Sequence, residues 1–270
     1  MCAPSKPNEQ RLRILVTGAA GAVGAHVVEA LLDRGHEVRG LDLKKSRTAV
    51  EQFTTSVTDL HGLRVAARGM DVIVHTAGVP ERQNFGASLV PHNIIGTHNV
   101  FEAARLEAVG RVVNTSSIRV VGGLNRETGK IGLEAGFVPG DHYGVSKVAG
   151  EVIGEMYSRR FGIAVASVRL GWFVRNRKEA DALPSIPLGR RIYLSHNDAK
   201  DFYVRAVEQP GISHAVVFVT SYNGGDPAFD LEPARRVFGY SPKDSYPSGS
   251  TWSDGDDFPS PVVGPSLAPH

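Results

Sequence analysis

Cysteine is nearly missing from this chain: one residue, Cys2, in 270. That excludes an internal disulfide and any cysteine-rich metal site. No His, Asp or Glu spacing suggests a metal site either. Long apolar runs are also lacking, none approaching the roughly 20 residues of a membrane helix. The first ten residues, Met1 to Gln10, are polar and proline-containing, unlike a secretory signal, and are expected to be flexible. A basic excess is missing too. Thirty Lys and Arg against 28 Asp and Glu leave a formal charge of +2. No stripe of positive charge is present that would suit nucleic acid. These absences predict a cytoplasmic, soluble protein with neither a nucleic-acid nor a membrane partner.

The chain is 41% hydrophobic and 21% charged, ordinary for a folded globular protein. Short β-rich runs alternate with longer helical ones over the first two-thirds. Arg13–Thr17 is a compact apolar run that ends in glycines, and Ala22–Asp33 has helical spacing up to the stop at Gly35. Strands are predicted at 37–43, 71–75, 111–115, 164–170 and 216–219, and helices at 89–108, 143–161, 195–207 and 231–238. The 195–207 helix opens on a Ser195-x-x-Asp198 capping box. Strand and helix in alternation imply a parallel sheet covered on both faces, with ligands at the carboxyl ends of the strands. The fold class is therefore α/β, a doubly wound parallel sheet. The charged, proline-interrupted stretch from Arg175 to Arg191 reads as a mobile loop. Residues 247–270, rich in Pro, Ser, Gly and Asp, read as an extended or disordered tail.

Gly18, Gly21 and Gly24 directly follow the first strand and open the first helix, in GxxGxxG spacing. Glycines there allow a tight turn and a close approach of backbone to a pyrophosphate, which the helix N-terminus stabilises. Asp42 stands at the end of the second strand, 24 residues after Gly18. This is near the ~20-residue distance at which a carboxylate meets the adenosine ribose hydroxyls of a Rossmann-type fold. A carboxylate there repels a 2′-phosphate and favours NAD over NADP. Lys44, Lys45 and Arg47 argue the other way, although a solvated loop explains them as well.

Oxidation at a carbinol carbon needs a base for the hydroxyl proton. A tyrosine serves only if its ordinary pKa of about 10 is lowered. Tyr143 and Lys147 have the four-residue spacing that places an ammonium on the same helix face. Ser117, just past the strand 111–115, is placed to hold the substrate oxygen against Tyr143. By itself Tyr-x-x-x-Lys is also an ordinary surface pair; the order of strand, serine and helix is what gives it meaning.

Together these residues identify the chain as similar to the extended short-chain dehydrogenase/reductase superfamily, the NAD-dependent epimerases and dehydratases. The likeness rests on GxxGxxG at 18–24, Asp59-Leu60, Thr76-Ala77-Gly78, Asn93, Ser116-Ser117 and YxxxK at 143–147. It implies that Ser117 orients substrate, Tyr143 is the acid/base, and Lys147 lowers its pKa while binding the nicotinamide ribose. It also implies that Asp59 and Leu60 sit against adenine. The cofactor would run past Gly18, Ala20, Gly21, Ala22, Val23, Gly24, Asp42, Thr76, Ala77, Gly78, Asn93, Thr115, Tyr143, Lys147 and Trp172. Within that superfamily the chain resembles the uronate dehydrogenases, which oxidise hexuronates at C1 to an aldarolactone. The carrying segments are 93–97, 101–105, 143–147, 168–171 and 194–198. Ile118-Arg119 stand where that family tends to have Asn-His, and Pro80 where it has a serine.

The resulting organisation is a cofactor-binding core over 11–171 and a small substrate-binding region over 172–246. Only 123 residues follow Lys147, which suits a free sugar or sugar acid better than a nucleotide sugar. Ser117, Ile118, Arg119, Tyr143 and Arg190 are the expected substrate contacts. Arg119, with Arg175, Arg190 or Arg191, offers a guanidinium fork for a substrate carboxylate. His75 is expected to pack near the cofactor and His142 to border the cleft, neither taking part. A sugar epimerase and a non-catalytic dinucleotide sensor are the alternatives. The resemblance also implies a homodimer through the two long helices.

Overall fold

The structure, a computed structural model, describes residues 11–81, 83–124, 129–186, 188–224 and 227–252. The expectations for residues 1–10 and for the tail beyond Trp252 lie outside these residues.

The chain runs through β1 (Arg13–Thr17), α1 (Ala22–Asp33), β2 (Glu37–Asp42), β3 (Glu51–Thr54), α2 (Leu60–Ala67) and β4 (Val72–His75). A π-helical segment, Phe85–Ile95, leads directly into α3 (Gly96–Leu106). Then come β5 (Arg111–Ser117), α4 (His142–Phe161), β6 (Ala164–Leu170), β7 (Trp172–Phe173), α5 (Arg177–Ala182) and β8 (Tyr193–Leu194). The last elements are α6 (His196–Glu208), β9 (His214–Val219) and α7 (Glu232–Phe238). Seven strands form one parallel sheet in the order β3-β2-β1-β4-β5-β6-β9. The order reverses between β1 and β4, so a crevice opens above their carboxyl ends.

Side chains alternate across the sheet, and each face has its own core. Ile14, Val16, Val74 and Val113 pack with Val27 and Leu31 of α1 and Phe202 of α6. Leu15, Ile73 and Val112 pack with Leu63 of α2, Phe101 of α3 and Tyr157 of α4. Each such buried aliphatic side chain contributes about 1.5–3 kcal/mol. At the opposite, amino-terminal rim a belt of ionic and polar contacts ties the elements together. Arg13 meets Asp71 at 2.7 Å, Arg34 and His36 meet Glu208 at 2.7 and 3.2 Å, and Arg111 donates to the carbonyl of Gln209 at 2.6 Å.

Three expectations need correction. The helix foreseen over 89–108 begins at Phe85, capped by the Asn84 side chain, which accepts from the Ala87 N–H at 2.8 Å. Pro91 takes a donor out of the ladder, and the first part adopts the wider π register. The stretch 175–191 is not a structureless loop. The Arg175 backbone N–H, Nε and Nη2 all donate to Glu179, at 2.7, 3.2 and 2.6 Å. Glu179 is fully buried, and the Asn176 side chain caps α5. Val174, Ala180, Leu183 and Tyr193 close a small core beneath. Finally, residues 247–252 are not a free arm. Tyr193 Oη donates to the Ser248 carbonyl at 2.7 Å, Asn197 N–H to that of Gly249 at 3.0 Å, and Trp252 packs edge-on to His196.

Ser195 does cap α6, accepting from the Asp198 N–H at 3.0 Å. The return bond of a capping box is replaced: Asp198 accepts instead from Ser221 Oγ at 2.6 Å and the Lys243 N–H at 2.8 Å. No helix among the described residues is long and apolar enough to cross a membrane.

Candidate active site

The glycine loop after β1 is shaped by two contacts that forbid a side chain. Gly18 has φ +74°, and a Cβ on it would lie 2.6 Å from the Ala77 nitrogen. At Gly24 a Cβ would stand 2.0 Å from the Gly18 carbonyl oxygen and 2.7 Å from Thr76 Oγ1. Helix α1 can therefore pack against the loop only through glycine. Gly21 has a different task. It is the N-cap residue of α1, with no side chain of its own to occupy the cap and no acidic residue in the turn that follows. The result is a positive helix end facing the crevice, a cradle suited to a pyrophosphate.

Asp42 closes the far side of this cradle. Its carboxylate accepts from the Ala20 N–H at 3.0 Å and the Lys44 N–H at 2.9 Å. Of the nearby basic residues, Arg47 pairs with Glu29 of α1 at 2.9 Å. Asp59 caps α2 just before Leu60, accepting from the Gly62 N–H at 3.1 Å and Thr55 Oγ1 at 2.9 Å. These bonds hold its carboxyl below the usual range.

The other wall is Thr76-Ala77-Gly78, at the end of β4. Thr76 Oγ1 donates to the Thr17 carbonyl at 2.7 Å. Asn93, buried on the π-helical segment, accepts from the Val79 N–H at 2.8 Å and donates to the Val79 carbonyl at 3.0 Å and to Ser146 Oγ at 3.2 Å. It thereby ties the cradle wall to α4. A Cβ on Gly78 would come 3.1 Å from Asn93 Oδ1 and 3.6 Å from Lys147 Nζ. Cradle and catalytic helix therefore border one cleft.

Lys147 Nζ donates to the Thr115 carbonyl at 3.0 Å and lies 5.6 Å from the centre of the Tyr143 ring. Burial pulls its pKa down to about 8, while Glu151, one turn further along α4, pulls it up. Tyr143 departs from expectation. Burial raises its phenol pKa, Glu81 and Asp141 push the same way, and Arg175 and Arg119 oppose them. Lys147 alone does not bring the phenol toward neutrality, because desolvation of the anion outweighs the charges around it. Ser117 ends β5, with its Oγ accepting from the Arg119 N–H at 3.2 Å. Alternation along the strand sends Ser116 to the opposite side, where its Oγ donates to Glu151 at 2.5 Å. Glu151 in turn holds Arg169 at 3.0 Å in a buried pair.

Two of the arginines foreseen for a substrate carboxylate already hold carboxylates. Arg119 is paired with Asp141 and with Glu81, the latter at 3.4 Å. Arg175 is held by Glu179, and Arg190 lies over the Tyr246 ring at 5.6 Å. Ile118 turns away, 5% exposed, into a core with Val120, Phe218 and Phe229. Trp172 is partly buried against that core, and its N–H donates to the Ile192 carbonyl at 2.6 Å. His75 is a satisfied interior residue between Thr17 Oγ1 at 2.8 Å and Thr97 Oγ1 at 3.1 Å, and burial lowers its pKa to about 3. His142 stacks on Phe85 at 4.8 Å. Sequence reading missed Glu81, Asp141, Glu151 and Tyr203, whose Oη meets Thr115 Oγ1 at 2.7 Å. Asp141 carried a legible signal, an aspartate one residue before a long helix. The others come from different elements, and their proximity has no local pattern.

Comparison with known proteins agrees with this geometry. A model of the NAD dependent epimerase/dehydratase family matches residues 14–181. The L-arabinose 1-dehydrogenase (NAD(P)(+)) of Haloferax volcanii is 33% identical over 250 residues, covering 86% of this chain and 97% of that enzyme. The uronate dehydrogenase of Pseudomonas putida is 31% identical over 237 residues, covering 86% of this chain and 84% of its own. Among solved structures, a uronate dehydrogenase mutant from Agrobacterium tumefaciens complexed with NAD superposes with a TM-score of 0.75 at 29% identity, over 87% of this chain and 86% of that one.

Proposed function

The chain belongs to the NAD dependent epimerase/dehydratase family, and from that premise we propose that it is an NAD-dependent dehydrogenase that removes a hydride from a sugar carbinol. The favoured substrate carbon is C1 of a hexuronate, with an aldarolactone as product. One observation carries the reading: Tyr143 and Lys147 stand on a helix that borders the glycine cradle, with Lys147 Nζ 3.6 Å from where a Gly78 side chain would begin. Dinucleotide and carbinol can then meet at one phenol.

In this reading α1, through Gly18, Ala20, Gly21, Ala22, Val23 and Gly24, holds the pyrophosphate. Asp42 holds the adenosine ribose, and Asp59 and Leu60 border adenine. Thr76, Ala77, Gly78, Asn93, Thr115 and Trp172 line the path toward Lys147. Bound NAD supplies the hydride acceptor and, when oxidised, a positive charge. Ser117 orients the sugar hydroxyl, and Tyr143 takes its proton. Lys147, an ammonium at neutral pH with its pKa near 8, steadies the phenolate that accepts this proton. Arg190 is the residue left to meet a substrate carboxylate. A second reading, a neutral aldose oxidised at the same carbon, is favoured by the carboxylate partners that Arg119 and Arg175 already have.

The test is NADH formation at 340 nm across uronates, aldoses and small hydroxy acids, with Tyr143→Phe as control. Turnover of a uronate supports the leading reading, turnover of aldoses alone the second. Absence of NADH from every sugar rejects both. The proposal extends to a homodimer. Val145, Val152 and Met156 form an exposed apolar stripe on α4, with Ile95 and Leu106 exposed on the π-helical segment and α3. Light scattering that gives only monomer mass would reject it.

A further inference from the structure

Arg119 sits between the two segments that carry the catalytic hydroxyls, and each end of it is tied to one of them. Its backbone N–H donates to Ser117 Oγ at 3.2 Å, and its guanidinium pairs with Asp141 Oδ2. The second oxygen of Asp141 accepts the Gly144 N–H at 2.7 Å, capping the turn of α4 that carries Tyr143. The two segments also touch directly. A Cβ on Gly144 would lie 2.5 Å from the Arg119 carbonyl oxygen, so the helix begins in contact with the turn.

The guanidinium is already paired with two carboxylates. Nη2 belongs to Asp141, and Nε, buried and without a hydrogen-bond partner, faces Glu81 at 3.4 Å. A substrate carboxylate would be the third anion around one cation, and Glu81 and Asp141 would repel it.

We propose that Arg119 is a positioning residue that, through Asp141, clips the Ser117 turn to the first turn of the Tyr143 helix, and that it does not bind the substrate's carboxylate. The kinetic form of this proposal rests on the dehydrogenase reading. The clip fixes where the serine hydroxyl stands relative to the phenol, and an error of about 1 Å in such a placement costs roughly a hundredfold in rate. It also sets the charge around the phenol. Facing Tyr143 are Glu81 from the segment after β4, Arg119 after β5, Arg175 after β7, Asp141 and Lys147 from its own helix and cap, and Tyr203 from α6. Removing the Arg119 cation leaves Glu81 and Asp141 uncompensated, which favours the neutral phenol. The pH at which the oxidation rate rises must then move upward.

The experiment compares Arg119→Ala, Arg119→Lys, Asp141→Asn and the Arg119→Ala/Asp141→Asn double variant on glucuronate and glucose. Asparagine caps helices as well as aspartate does, so Asp141→Asn removes the charge and keeps the cap. For each sugar that the wild type oxidises, Arg119→Ala and Asp141→Asn should lower kcat by roughly ten- to a hundredfold. KM should stay within about twofold, the double variant should be no worse than the weaker single, and Arg119→Lys should recover part of the loss. The alkaline rise of the pH profile should shift upward in Arg119→Ala. A KM for glucuronate that climbs tenfold or more with kcat unchanged makes Arg119 a ligand and overturns the proposal, as do losses that multiply in the double variant. If the wild type oxidises no sugar, the dehydrogenase reading fails. The clip is then judged on crystal structures of wild type and Arg119→Ala. A lengthened distance from Ser117 Oγ to Tyr143 Oη supports it, and an unchanged one overturns it.

Discussion

The glycine-loop half of the molecule and the region after β6 are stabilised by different means. From β1 to β5 the chain is held by two apolar cores, one on each face of the sheet, filled by aliphatic side chains at strand and helix spacing. Beyond Gly171, α6, β9 and α7 complete the first of these cores, whereas around α5 and β8 the apolar cluster is a handful of residues and polar contacts do much of the holding. The Arg175–Glu179 pair fixes the start of α5. Asp198, Ser195 and Ser221, all buried, form one hydrogen-bonded group with Asp244. Tyr193 and His196 are stitched to residues 248–251. Apolar packing tolerates moderate exchange of one side chain for another. A buried ion pair does not tolerate the loss of one partner. The segment around α5 and β8 is thus the more brittle.

The contrast can be broken most severely at the chemistry. Tyr143→Phe should lower turnover by about a thousandfold and leave NADH binding, measured by fluorescence titration, unchanged. Loss of NADH affinity on the same scale would mean that the two halves do not divide binding from chemistry. Next in size is Gly24→Ala, which forces a methyl group onto the Gly18 carbonyl. The expected destabilisation is about 3 kcal/mol, seen in a urea titration together with weakened NADH binding. Gly162→Ala, at a glycine with φ +71° and open space around it, should cost only about 1–2 kcal/mol.

Glu179→Gln sharpens the comparison from the other side. It leaves Arg175 without its counter-charge and should destabilise by about 2 kcal/mol. Limited proteolysis should then cut within 175–191 while the glycine-loop half stays protected. Cleavage first in the earlier half would contradict the assignment. The smallest effect is one of pH. Burial lowers the pKa of His196 to about 4, against 6.5 for an unperturbed histidine. A group depressed in the fold contributes stability above its unfolded pKa and loses it as pH falls toward the folded value. At pH 5.5, one unit below 6.5, this amounts to about 1.4 kcal/mol. His196→Gln should flatten that part of the melting curve against pH; an unchanged slope would assign the acid sensitivity elsewhere.

The same contrast explains what could be read in advance. The order of β1, α1, β2, β4 and β5, the glycine cradle with Asp42, and the pair Tyr143–Lys147 were legible, because each is a local pattern of spacing or period. So were the Ser195 cap and most of α6. Segment β3, with its sequence Glu51-Gln-Phe-Thr, has one large apolar residue and left no strand signal. The order within 175–191 was hidden because charge and proline, which ordinarily mark solvated loops, are there neutralised by a buried partner. Arg119 was read as a free guanidinium for the same reason: its partners, Glu81 and Asp141, lie 38 and 22 residues away in the chain. Spacing cannot report charges that only folding brings together. The expected pKa of Tyr143 failed on burial, which no four-residue motif records.

All seven strands of the main sheet point the same way, and this has a practical corollary. The belt formed by Arg13, Asp71, Arg34, His36, Glu208 and Arg111 lies at the rim remote from every residue discussed as a ligand contact. Loops at the catalytic rim can be exchanged, lengthened or randomised in a library while that distant belt keeps the strands in register. An engineer seeking a new sugar specificity has a scaffold whose anchor points and whose variable surface are some five residues of strand apart, and so can diversify one without screening for damage to the other.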